Sequence, residues 1–88
     1  MRFEYQEQGQ TAYLEYRYYK KQNIAFTHVV VPEKLSGRGI GQALVKAAFA
    51  FAAEINLPVM NYCPYVGRQM KEHPEYKKQL DKKYHPGQ

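Results

Sequence analysis

Gly37, Gly39 and Gly41 stand within five positions, with Arg38 among them and a strongly helical segment immediately after. Glycine is worse than alanine in a helix by about 1 kcal/mol, so this spacing points to a need for bare backbone. The first N–H groups of a helix have no partner inside it and carry partial positive charge. A loop without Cβ atoms lets an anion such as a phosphate reach those groups, and Arg38 adds a full charge. Other chemistry-bearing side chains stand apart from the loop. Cys63 is the only cysteine and is a nucleophile as its thiolate. His28 carries an imidazole, the side-chain type best suited to a general base near neutral pH. Tyr62, beside Cys63, carries a hydroxyl that can move a proton. His28, Cys63, His73 and His85 are too scattered for a metal site, and no Cys-x-x-Cys or His-x-x-x-His spacing occurs. His73 precedes Pro74 and reads as a helix break.

Two familiar phosphate loops do not fit. The P-loop needs a Lys-Ser or Lys-Thr pair after its glycines, which is missing here. The dinucleotide fingerprint needs G-x-G-x-x-G in a repeated βαβ frame. The spacing here is G-x-G-x-G, and 88 residues are too few for two halves.

The elements that must position these residues follow from periodicity. Residues 2–7 and 11–19 alternate around a short polar turn containing Gly9, which makes a hairpin. Ala12, Leu14, Tyr16 and Tyr18 share one face of the second strand. KKQN (20–23) is another turn. IAFTHVVV (24–31) is β-rich and largely apolar, a strand central in the sheet. Pro32 ends it, and residues 33–37 form a loop. Ile40, Ala43, Leu44, Ala47, Ala48, Phe51, Ala52 and Ile55 keep the spacing of one helix face, and Asn56 stops the helix. LPVMNY (57–62) is a fourth strand. A long helical crossover makes it parallel to the third. A short helix over about 65–72 is broken at His73–Pro74, and further helical turns run to about Leu80. Residues from about 82 to 88 should fray. The expectation is a single domain over 1–88 of the α/β (α+β) class. Its mixed sheet has an antiparallel meander of three strands plus a parallel fourth, one long helix packed on it and short C-terminal helices.

Composition narrows the partners. Thirteen Lys and Arg stand against eight Asp and Glu, a net charge of +5, which favours anionic partners in general. No block of five like charges occurs, and Asp81 interrupts the basic stretch YKKQLDKKYHPGQ. Tyr13, Tyr16, Tyr18 and Tyr19 with Arg17, Lys20 and Lys21 suit stacking on nucleic-acid bases. A thin core lined by tyrosines, or a homodimer face, is the better reading. One cysteine cannot close an intramolecular disulfide, and the N-terminus lacks an apolar signal core. The longest apolar run, Ala47 to Ala53, falls far short of the roughly 20 residues that span a bilayer. A cytoplasmic location without a membrane partner is expected.

The stretch from Thr27 to Tyr65 closely resembles the acyl-CoA-binding core of the GNAT superfamily of N-acetyltransferases. That loop reads [R/Q]-x-x-G-x-[G/A]. Gly39 and Gly41 fill its second and third fixed positions, and Ser36 stands where the family has Arg or Gln. The chain is most similar to the very small GNAT-like proteins. It carries in order their Thr27-His28, Pro32-Glu33-Lys34-Leu35, Cys63-Pro64-Tyr65 and His73-Pro74-Glu75-Tyr76. The resemblance implies acetyl-CoA as co-substrate and no metal. Gly37, Arg38, Gly39, Ile40, Gly41 and Gln42 would hold its pyrophosphate, and Val29, Val30 and Val31 would flank its pantetheine arm. The third and fourth strands would splay, with the thioester in the notch beside Tyr62 and Cys63. The implied reaction is direct attack by an unidentified amine; from the residues themselves His28 is the candidate base, and Tyr62, Tyr65 or Cys63 would protonate the departing thiolate. A large acceptor or a homodimer would complete the acceptor side. The alternatives are a non-catalytic acyl-CoA-binding module and a basic nucleic-acid-binding protein.

Overall fold

Alternating residues fold the first third of the chain into a meander. In the computed structural model, which describes residues 1–86, β1 (Arg2–Glu7) pairs antiparallel with β2 (Gln10–Tyr19), and β2 with β3 (Asn23–Val30). Gln8 and Gly9 both take positive φ, 52° and 73°, the pattern of the two-residue turn whose twist suits a hairpin. Helix α1 (Ile40–Glu54) then crosses over the sheet, and β4 (Val59–Asn61) lies parallel to β3. The strand order is β1-β2-β3-β4, so β3 is interior. Helix α2 (Pro64–Glu72) and a short 3-10 helix (Pro74–Gln79) follow.

The fourth strand is shorter than the expected 57–62, and the end of α1 explains why. Asn56 is left-handed at φ 60°. Its N–H bonds Ala53 O at 3.1 Å, and the N–H of Leu57 bonds Ala52 O at 3.1 Å. This reciprocal helix stop takes up Leu57 before it can join the sheet.

The core lies between one sheet face and the two helices. Leu14, Ile24 and Phe26 from the sheet meet Leu44, Val45, Phe49 and Ala52 of α1 and Val66 and Met70 of α2. Phe49 sits edge-on to Phe26 at 5.1 Å and stacks flat on Tyr76 at 4.3 Å. Phe3, Tyr16 and Phe51 form a second aromatic group, with centroids 5.0 to 5.8 Å apart. The tyrosines thus divide. Tyr16, Tyr65 and Tyr76 border the core, while Tyr18, Tyr19, Tyr62 and Tyr84 stay exposed.

The segment after Leu80 closes the outer edge of β4. Asp81 N–H bonds Val59 O at 2.9 Å, and Asn61 N–H donates to His85 Nε2 at 2.9 Å. Asn23 donates its side-chain amide to the Asp81 carboxylate. The end expected to fray from about 82 is tied back here as far as His85, and residues 87 and 88 lie outside the described residues. No helix among the described residues is long and apolar enough to cross a membrane.

Candidate functional site

The glycine loop is built from both sides. On its N-terminal side a short 3-10 helix (Glu33–Leu35) buries Leu35 completely, and Ser36 Oγ bonds Glu33 O at 2.7 Å. The chain then turns through Gly37 at φ 74° and Gly39 at φ 75°, left-handed positions that side chains avoid. Gly39 caps α1 without a side chain, and the first helical bond runs from Ala43 N–H to Gly39 O at 3.0 Å. The N–H groups of Ile40, Gly41 and Gln42 therefore have no partner within the helix. With Val31, Ser36, Gly37 and Tyr65 these residues line a cavity of about 440 Å³. Unpaired donors and the helix dipole make it suited to an anion.

Gly41 serves a different need from its neighbours. A Cβ there would stand 2.6 Å from Tyr65 Oη and 3.0 Å from its Cζ, inside any real contact distance. Tyr65, in the first turn of α2, lays its phenol over the first turn of α1. Burial raises its pKa above the usual phenol value, so the hydroxyl keeps its proton.

Arg38 turns away from this cavity. Its guanidinium pairs with Glu7 of β1 at 2.5 Å, and the Tyr5 hydroxyl donates to the same carboxylate. The Arg38 hydrogen bond, then that from Tyr5, holds the Glu7 carboxyl below its ordinary range. Arg38 thus fastens the loop to β1 and lines a separate cavity of about 420 Å³ with Tyr5 and Ala43.

The gap in the sheet lies beside the loop. The β3–β4 ladder ends where Tyr62 N–H bonds Phe26 O at 3.0 Å. Strand β3 continues to Val30, still paired with β2 on one side but with no strand on its β4 side among the described residues. The register steps from Tyr16↔Phe26 to Glu15↔His28, which leaves Thr27 as a bulge. Beyond it Val29 and Val31 pack toward the core, whereas Val30 is exposed.

The other sequence-predicted residues divide across the sheet. Cys63 is only 6% exposed and belongs to the core. Its N–H donates to Asn61 Oδ1 at 3.0 Å, and Asn61 Nδ2 donates to Cys63 O at 3.1 Å. Sequence reasoning passed over Asn61 and this brace, although Asn two residues ahead of a turn is its usual signal. Tyr62 faces the other way. It is 51% exposed and lines a shallow cavity of about 400 Å³ with Arg17, Ala25 and Thr27. The Tyr84 hydroxyl, by hydrogen bonding, raises its pKa. His28 is also exposed, with Nδ1 3.2 Å from Glu15 Oε1. So the fold gathers Val31, Gly37, Gly39, Ile40, Gly41 and Gln42 with Tyr65, but not His28, Tyr62 and Cys63 with one another. His73 sits at the helix break, 3.5 Å from Glu75.

A family model described as GCN5-related N-acetyl-transferase matches residues 2–80. Protein NATD1 of Xenopus tropicalis is 38% identical over 63 residues, covering 72% of this chain and 58% of that protein. Protein NATD1 of Homo sapiens is likewise 38% identical over 63 residues, covering 72% and 56%. That of Danio rerio is 39% identical over 67 residues, covering 74% and 61%. The match thus spans a little over half the length of these relatives. A family match over nearly the whole chain, on a mixed sheet with a glycine loop at the start of its crossover helix, settles the kinship: the chain belongs to the GCN5-related N-acetyltransferase family.

Proposed function

We propose that the chain binds acetyl-CoA and transfers its acetyl group to an amine. One observation carries this reading. The unpaired N–H groups of Ile40, Gly41 and Gln42 open on the 440 Å³ cavity beside the free edge of β3. The residues present fit the ligand, because no Asp or Glu lines that cavity and Gly37 and Gly39 place no Cβ in it. Gly37 to Gln42 hold the pyrophosphate, and the backbone of Val29 to Val31 pairs with the pantetheine arm like an added strand. When bound, acetyl-CoA supplies an activated acetyl thioester. An arm along that edge leads toward the last rung of the ladder, between Phe26 and Tyr62. Tyr65, its hydroxyl over Gly41, donates to the pyrophosphate end of the ligand, and Tyr62, beside that last rung and kept protonated by its hydrogen bond with Tyr84, is the donor for the departing sulfur. His28, oriented by the Glu15 carboxylate, takes the amine proton from the opposite face. Cys63 walls the notch, and Tyr62 lines the acceptor side.

Binding without transfer is the second reading. It is favoured by the separation of His28 and Tyr62 from the buried Cys63. An amide-shift titration with acetyl-CoA tests the first step, with shifts expected at Gly37 to Gln42 and Val29 to Val31. Release of free thiol in the presence of an amine library tests the second. Shifts without thiol release from any amine would leave a binding module. No shifts at millimolar ligand would remove both readings.

A further inference from the structure

The tail that closes β4 also builds a cavity of about 330 Å³ on the far side of α2. Asn61, Arg68, Lys71, Lys77 and His85 line it. The basic residues converge from separate segments. Arg68 and Lys71 lie one turn apart on α2, Lys77 comes from the second 3-10 helix, and His85 comes from the tail. No Asp or Glu lines the cavity, and none of these basic groups makes an ion pair among the described residues. Elsewhere Arg2, His28, Arg38 and His73 each face a carboxylate. Gathering like charges in a concave site raises their mutual repulsion and focuses a positive field outward. Because Asn61 N–H donates to His85 Nε2, the neutral ring carries its proton on Nδ1 and keeps a donor to offer.

We propose that this cavity binds the phosphate group of a small molecule. Its chemistry is that of a dianion receptor: a planar guanidinium, two ammonium groups and an imidazole donor with no competing acid. Its small concave outline, about 330 Å³, suits one anionic group, whereas a nucleic-acid strand needs a groove that follows successive phosphates. It shares no lining residue with the glycine-loop cavity, although Arg68 lies 5.7 Å over the ring of Tyr65, which lines that cavity. Asn61 links it to the notch. The main-chain N–H of Asn61 holds His85 while its side chain grips the backbone of Cys63. An anion seated here is therefore felt at the Cys63 amide.

The test is an amide-shift titration of the labelled full chain with inorganic phosphate at constant ionic strength. Saturable shifts are expected at Asn61, Arg68, Lys71, Lys77 and His85, with a smaller one at Cys63. Arg68→Gln and Lys77→Gln should each weaken binding about tenfold, the loss of one charge-assisted hydrogen bond. Both side chains lie at the surface of the cavity, and unchanged spectra elsewhere would show the variants folded. The proposal fails if phosphate shifts these amides no more than chloride does. It also fails if both variants bind as well as the parent, or if the shifts are confined to Gly37 to Gln42. A single-stranded oligonucleotide that displaces phosphate and perturbs lysines across the whole surface would overturn it in favour of nucleic-acid binding.

Discussion

Replacing Gly41 by alanine sets two opposed effects against each other, and Tyr65 decides between them. On a bare helix the change gains up to about 1 kcal/mol, because alanine is the better helix former. Here the new methyl would stand 2.6 Å from Tyr65 Oη and 3.2 Å from its Cε2, so the ring must move. Overpacking of this kind costs about 1–3 kcal/mol. The net expectation for Gly41→Ala is a loss of about 1 kcal/mol, or a fall in Tm of roughly 4–8 °C for a domain this small. With Tyr65→Ala already in place the obstruction is gone, and the same substitution should stabilise by about 0.5–1 kcal/mol. The sign therefore reverses between backgrounds, and the coupling energy of the cycle is about 1–3 kcal/mol. Urea titrations of the four proteins, followed by circular dichroism, measure it. Equal effects of Gly41→Ala in both backgrounds would refute the assignment of this glycine to a close approach by Tyr65.

Phe49→Ala removes the ring packed between Phe26 and Tyr76, and should cost about 3–5 kcal/mol; a urea midpoint near that of the parent would contradict the aromatic stack as a main prop of the core. Gly39→Ala meets only Gln42 Oε1, at an ordinary contact distance of 3.7 Å. Its cost is the left-handed backbone alone, about 1–2 kcal/mol, and Gly39→Asn should recover part of it in the same assay. Burial raises the pKa of Tyr16, Tyr65 and Tyr76. A phenol with a raised folded pKa stabilises fully below the unfolded value of about 10 and loses that contribution as pH climbs through the folded one. The urea midpoint should hold on the neutral side and fall above about pH 10, and a midpoint that stays level there would be inconsistent with buried phenols.

The elements were legible because their signals are local. Alternation over 11–19 and the helical spacing from Ile40 to Ile55 each lie within a few residues of the bonds they describe. The glycine loop was legible for the same reason, since the free N–H groups of a helix start belong to consecutive residues. What escaped were pairings across the chain. Nothing around Arg38 announces that Glu7 claims its guanidinium, and nothing around Gly41 announces Tyr65. Both contacts join segments that meet only once the sheet and helices have packed. The tail shows the same limit. Its polar composition suggests a loose end, but Asp81 and His85 find acceptor and donor on β4, and an unpaired strand edge rewards whatever covers it.

His28 shows how one inserted residue can redirect chemistry. Under strict alternation it would share the face of Ile24 and Phe26 and point into the core beneath the helices. The register step at Thr27 breaks that alternation. Val29 then turns inward in its place, and His28 turns outward onto Glu15, where Thr27 Oγ1 also bonds the carboxylate at 2.7 Å. The bulge thus keeps an imidazole out of an apolar core, where it would lose its hydration. It also moves the His28 imidazole to the face opposite Cys63. On this geometry the proposed base and the buried thiol lie on opposite sides of the sheet, so the proposed transfer would have to join groups from its two faces through the gap beyond Phe26 and Tyr62.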